Sequence, residues 1–107
     1  MDPAYDRQWT VVRGDDQSRA YQITEDDGTT PVDLTGRTYA WSISLQRGGT
    51  IVATGTGTVS DAANGYVEIT LTDTQTALLT EPRYAFDLVE TYGTDETTVV
   101  LGTILTT

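Results

Sequence analysis

Residues 37–46, Arg-Thr-Tyr-Ala-Trp-Ser-Ile-Ser-Leu-Gln, decide the reading of this chain. Tyr39, Trp41, Ile43 and Leu45 fall on one parity, and Ala40, Ser42, Ser44 and Gln46 on the other. Successive side chains of a strand point to opposite faces, so this alternation means one face packed on a core and one face in water. Trp41 is the largest residue on the inward side and the expected centre of the core.

Working outward, the same pattern recurs. In residues 66–71, Val67, Ile69 and Leu71 oppose Tyr66, Glu68 and Thr70; in residues 83–91, Tyr84, Phe86 and Leu88 oppose Ala85, Asp87 and Val89. Residues 97–106 are apolar on both parities at Val99-Val100-Leu101, as expected of a strand buried on both sides or covered by a neighbour. Shorter strands are predicted at 19–24, with Tyr21 and Ile23 inward, and at 9–13, with Trp9 and Val11 inward. Residues 50–60 have a thin inward set, Ile51, Ala53, Gly55, Gly57 and Val59, which reads as an edge strand. Glycine there permits a bulge or a close backbone approach.

Between the strands lie turn-forming clusters: Gly14-Asp15-Asp16, Asp26-Asp27-Gly28, Arg47-Gly48-Gly49, Asn64-Gly65 and Tyr92-Gly93-Thr94-Asp95. One break differs. Thr72 and Gln75 have capping-box spacing, Asp73 adds a favourable first-turn charge, and Pro82 ends the segment, so a helix of one or two turns is expected over residues 73–79. Leu78 or Leu79 would plug the core. The sum is an all-β fold: a seven-stranded antiparallel immunoglobulin-like sandwich with one short crossover helix, or alternatively a small Greek-key barrel. Residues 1–8 form an N-terminal arm and residues 9–107 a single domain.

Composition limits the chemistry. The 107 residues carry sixteen acids, six bases and no histidine, a formal charge of -10. All six bases are arginine. Such a surface repels nucleic-acid phosphates. With neither cysteine nor histidine, disulfides, thiolate or imidazole zinc sites and histidine acid–base catalysis have no residues to work with. No apolar run approaches membrane length, and the first residues lack the layout of a secretion signal. Neither an enzyme nor a cofactor is expected. Twenty-two threonines fit a solvated β-surface, and Thr54-Gly55-Thr56-Gly57-Thr58 is the one regular array.

Few other residues suggest a site. Glu25, Asp26 and Asp27, with Asp15, Asp16 and Asp33, offer carboxylates for calcium, but the spacing matches no EF-hand loop and solvated turns account for them. Arg13-Gly14-Asp15 spells an adhesion tripeptide, for which a Gly-Asp turn is the sufficient explanation. Tyr5, Tyr66 and Tyr92, at outward or terminal positions, leave open a sugar-binding platform.

The order of the segments carries a resemblance. Arg13-Gly14-Asp15-Asp16 precedes a strand; Pro31-Val32-Asp33-Leu34-Thr35-Gly36 leads into the Trp41 strand; Asn64-Gly65-Tyr66-Val67-Glu68-Ile69 leads into Leu78-Leu79; Tyr84-Ala85-Phe86-Asp87 precedes Leu101-Gly102-Thr103-Ile104. Over about residues 10 to 106 this layout resembles the immunoglobulin-like domains of tailed-bacteriophage virion proteins. It is most similar to the N-terminal domains of upper baseplate proteins and to short tail-associated proteins. Glu81-Pro82-Arg83 departs from the glycine turn expected before Tyr84. Family members often continue into a second domain, and this chain ends at Thr107.

The resemblance implies a virion structural protein of the tail, neck or baseplate, partnered by other virion proteins and assembled as a homo-oligomer or ring. A capsid decoration protein and, less so, a carbohydrate-binding module are the alternatives. Contacts are expected along the 50–60 edge, at Thr54, Thr56 and Thr58, and along the N-terminal arm, at Tyr5 and Arg7.

Overall fold

The computed structural model describes residues 4–25 and 27–107, with the strand path alone for residues 4–7. Seven strands and one helix follow in the order β1 (Ala4–Val11), β2 (Gln17–Gln22), β3 (Thr38–Ser44), β4 (Ile51–Asp61), β5 (Tyr66–Leu71), α1 (Asp73–Ala77), β6 (Arg83–Tyr92) and β7 (Asp95–Thr106). The all-β reading, the strand number and the short helix stand. Within the segment expected as an arm, β1 begins at Ala4.

The expected antiparallel sandwich is corrected. All seven strands form one mixed sheet in the order β1-β7-β6-β3-β4-β5-β2, with β1 parallel to β7 and every other neighbour antiparallel. The sheet curls until it is nearly a barrel. Trp9 of β1 meets Phe86 edge-on at 6.1 Å and Tyr21 of β2 stacks on it at 6.0 Å, so both ends of the sheet lean on one ring of the opposite wall.

β4 makes this possible, and it is not an edge. Its first part pairs with β3, from Ser44↔Ile51 to Tyr39↔Gly57; its last part pairs with β5, at Thr58↔Glu68 and Val59↔Val67. One long strand therefore belongs to both halves, and the sheet turns along it instead of separating into two layers. Its inner glycines lie opposite the bulkiest residues of β3. A Cβ on Gly55 would come within 2.4 Å of the Trp41 indole, and one on Gly57 within 3.0 Å of the Tyr39 Cβ. The close backbone approach expected of glycine here is present.

Two bulges explain where alternation misleads. Val89 pairs with Thr98 while Leu88 pairs with Val100, leaving Val99 as an extra residue, so Val99 and Val100 are both buried. The second lies between Ile43 and Ser44, opposite Val52. It turns Ile51 out to 60% exposure and places Leu45 in the hairpin at 48%; both were expected inward. The remaining inward residues, Tyr39, Trp41, Ile43, Val67, Ile69, Leu71, Tyr84, Phe86, Leu88, Trp9, Val11, Tyr21 and Ile23, are buried.

The helix closes one end. Thr72 accepts the amide of Gln75 while the Gln75 side chain accepts the amide of Thr72, the reciprocal cap expected from the sequence. Leu79 is fully buried and Leu78 is exposed. The Glu81-Pro82 corner is held by the Tyr84 hydroxyl, which accepts the amide of Glu81 at 2.8 Å, and by Thr106, whose amide donates to the Pro82 carbonyl at 3.1 Å.

Candidate interaction surface

Thr54, Thr56 and Thr58 are exposed on the outer face of β4, their positions alternating with inward Ala53, Gly55 and Gly57. Their cross-strand neighbours are Ser42, Ala40 and Glu68. The row therefore sits among short side chains and forms a hydroxyl-bearing strip beside one exposed carboxylate. Farther across, Ser42 donates to Asp87 Oδ1 at 2.7 Å.

The side chains of Tyr5 and Arg7 lie outside the described residues. Their strand path does not. Arg7 is registered beside Gly102 at the far edge of the sheet. Four strand-to-strand steps separate β1 from β4 in the sheet order, roughly 19 Å at the usual spacing. The threonine row and the first strand are two places on the surface, not one.

Several of the acids are engaged in turns. Asp27 accepts the Thr30 hydroxyl and the amides of Thr30 and Thr29, and these bonds hold its carboxyl down at about 2, the Thr30 hydroxyl contributing most. Asp33 is lowered in the same way by the hydroxyl and amide of Thr35. Asp16 accepts the Asp73 amide at 2.6 Å. Asp26 lies outside the described residues. Among the described residues, no three acidic side chains converge on a point that would hold a metal ion.

The Arg13-Gly14-Asp15 tripeptide is exposed but tethered by its bonds. Arg13 Nε donates to the Leu79 carbonyl at 2.6 Å and Gly14 N to the Thr76 hydroxyl at 3.0 Å. That fully buried hydroxyl in turn donates to the Asp15 carbonyl at 2.8 Å. The tripeptide fastens the β1–β2 connection to the helix. Of the outward tyrosines, Tyr66 is 39% exposed and Tyr92 52% exposed, and one face of Tyr92 carries the Arg37 guanidinium at 4.4 Å.

A cluster that the sequence reading passed over lies just inside this end of the sheet. Glu90 is only 3% exposed; its carboxylate accepts Arg37 Nη1 at 2.7 Å and the Tyr39 hydroxyl at 2.6 Å. Burial, then the bond to the Glu90 carboxylate and its charge, raise the Tyr39 phenol far above its ordinary value. The bond to Glu90 raises the Arg37 guanidinium further. A signal was available: Glu90 continues the inward parity of Tyr84, Phe86 and Leu88, in register with Tyr39. Arginine, glutamate and tyrosine here bond one another and brace the core, while Arg37 Nε is buried without a hydrogen-bond partner among the described residues.

No protein-family model matches the chain, and no curated protein sequence matches it. Among solved structures, the fold is similar to the N-terminal domain of phage TP901-1 ORF48, with a TM-score of 0.61, 13% identity, and coverage of 99% of this chain and 89% of that one. At that identity the likeness establishes the fold.

Proposed function

We propose that the chain is a structural protein of a bacteriophage virion, in the tail, neck or baseplate, which works through contacts with other virion proteins. The observation that carries this is the fold likeness to a domain of phage origin, running the length of both chains. The order of sequence segments, which resembles the N-terminal domains of upper baseplate proteins, supports the same assignment independently. The proposal includes the absence of catalysis. Arg37, Glu90 and Tyr39 are committed to one another, Asp27 and Asp33 to their own turns, and Arg13 to the helix end, so these groups serve the fold.

The threonine strip of β4 is the first contact surface in this reading, and the β1 edge with Tyr5 and Arg7 the second. A peptide inventory of purified particles by mass spectrometry tests the assignment. The chain should be present at a few to about a dozen copies if it belongs to a tail, and at hundreds if it decorates the head. Its absence from clean particles rejects the assignment. Light scattering of the purified protein then separates a ring from a monomer that docks on a larger component.

A further inference from the structure

The two edges of the sheet face each other along a seam. β1 pairs with β7 and β2 with β5, and among the described residues no backbone hydrogen bond joins β1 to β2. Among the described residues a side chain crosses the seam: the Arg19 guanidinium of β2 donates to the carbonyl of Gln8 in β1. That carbonyl therefore points away from β7 into the gap. Below it, Trp9, Phe86 and Tyr21 close the interior, so the seam is an opening in the hydrogen-bond ladder and not in the core.

β2 is an edge guarded by Arg19, which shares the inward parity of Tyr21 and bridges to Gln8. Its six residues otherwise run in unbroken register with β5, from Gln17↔Leu71 to Gln22↔Tyr66, without proline, lysine or bulge. On its outer face Ser18, Ala20 and Gln22 are exposed, and Ala20 lies opposite exposed Glu68. Alanine presents one methyl group there. A long cationic side chain, placed opposite Ala20 on an added strand, passes over it to the Glu68 carboxylate about 10 Å away. Asp16 precedes the strand, and Glu25 and Asp27 follow it.

The charge of the chain selects the occupant. At -10, copies of the protein repel one another, and Arg13, Arg19, Arg37 and Arg47 are each bonded within their own chain. We propose that β2 accepts an extended basic segment of a different polypeptide as an added strand, which takes over the seam that the Arg19 bridge now spans. This rests on the reading of the chain as an assembly component and names the chemistry of one partner. It also moves the main contact away from the threonine row of β4.

The test uses the full chain and a short synthetic peptide in which arginine and threonine alternate with valine, with a control carrying glutamate for arginine. Fluorescence anisotropy at low salt should show saturable binding of the basic peptide alone. Hydrogen exchange should slow at residues 17–22. Glu68→Gln, on the exposed face, should fold normally and weaken binding about two- to fivefold, the value of one exposed charge contact. The inference is overturned by no saturable binding, by equal binding of the acidic peptide, by protection confined to β4, or by a dimer of the chain protected at residues 17–22. A chain found in purified particles that fails these tests loses this inference and keeps its structural role; a chain that passes them and is absent from particles does the reverse.

Discussion

Trp41 and Gly55 face each other in register across β3 and β4, and the indole fills the space where a Gly55 side chain would begin. The Cβ of any other residue at 55 would lie 2.4 Å from Trp41 Cζ2. One of the two inward tryptophans and the glycine-thinned part of β4 are thus two halves of one packing solution.

Gly55→Ala should therefore destabilise the fold by about 1–3 kcal/mol, the usual cost of overpacking a close-packed interior. Trp41→Ala should cost about 3–5 kcal/mol by emptying the same space. Because the two changes act on one volume, the double variant should lose less than the sum, which a urea-denaturation cycle measures.

Tyr39 sets an alkaline limit. Its phenol is raised in the folded protein, so as pH passes the ordinary value of 10.0 the unfolded chain loses its proton first. The contribution is complete below about pH 10 and falls steadily above it. Thermal melts from pH 8 to pH 11 should show this decline, and Tyr39→Phe should flatten it. The same variant leaves Glu90 with one donor fewer and should cost about 1–2 kcal/mol at neutral pH.

Glu90→Gln should cost about 3 kcal/mol, because the Arg37 guanidinium keeps its charge while losing the carboxylate 2.7 Å away. Replacing both residues with apolar ones of similar size should recover much of that loss. Equilibrium unfolding of the single and double variants distinguishes the two outcomes.

Thr76 is tested by its hydroxyl alone. Thr76→Val keeps the shape but strands the Gly14 amide and the Asp15 carbonyl, and should cost about 2 kcal/mol. Thr76→Ser should retain most of the stability. In the valine variant, hydrogen exchange should quicken at Gly14 before it does in the sheet.

Asp27 governs an acid transition confined to its turn. Its folded value of about 2 lies below the ordinary 3.8, so its contribution is full above about pH 4 and lost as pH falls towards 2. The amides of Thr29 and Thr30 should lose protection over that window. In Asp27→Ala they should be exposed at every pH.

Much of the fold was legible because each strand carries its own period. β3, β5 and β6 could be placed within a residue or two, and the helix by the reciprocal Thr72–Gln75 cap, since both signals act between residues close in sequence. Leu45 and Ile51 were misassigned because a bulge resets the alternation, and a bulge depends on which strand lies alongside. Glu90 shows the same limit. Its parity marked it as inward, yet the arginine and tyrosine that make a buried carboxylate tolerable are 53 and 51 positions away in sequence.

Sequence alone thus determined most of the side chains that face inward, where the chain turns, and that histidine and cysteine chemistry have no residues to act through. Only the tertiary structure decided the partners of each strand: β1 parallel to β7, β4 shared between two halves, and β2 left open beside β1. Periodicity encodes the environment of a residue along its own strand. The pairing of edges is settled by long-range packing, here by Gly55 admitting Trp41 and by Trp9 and Tyr21 meeting on Phe86.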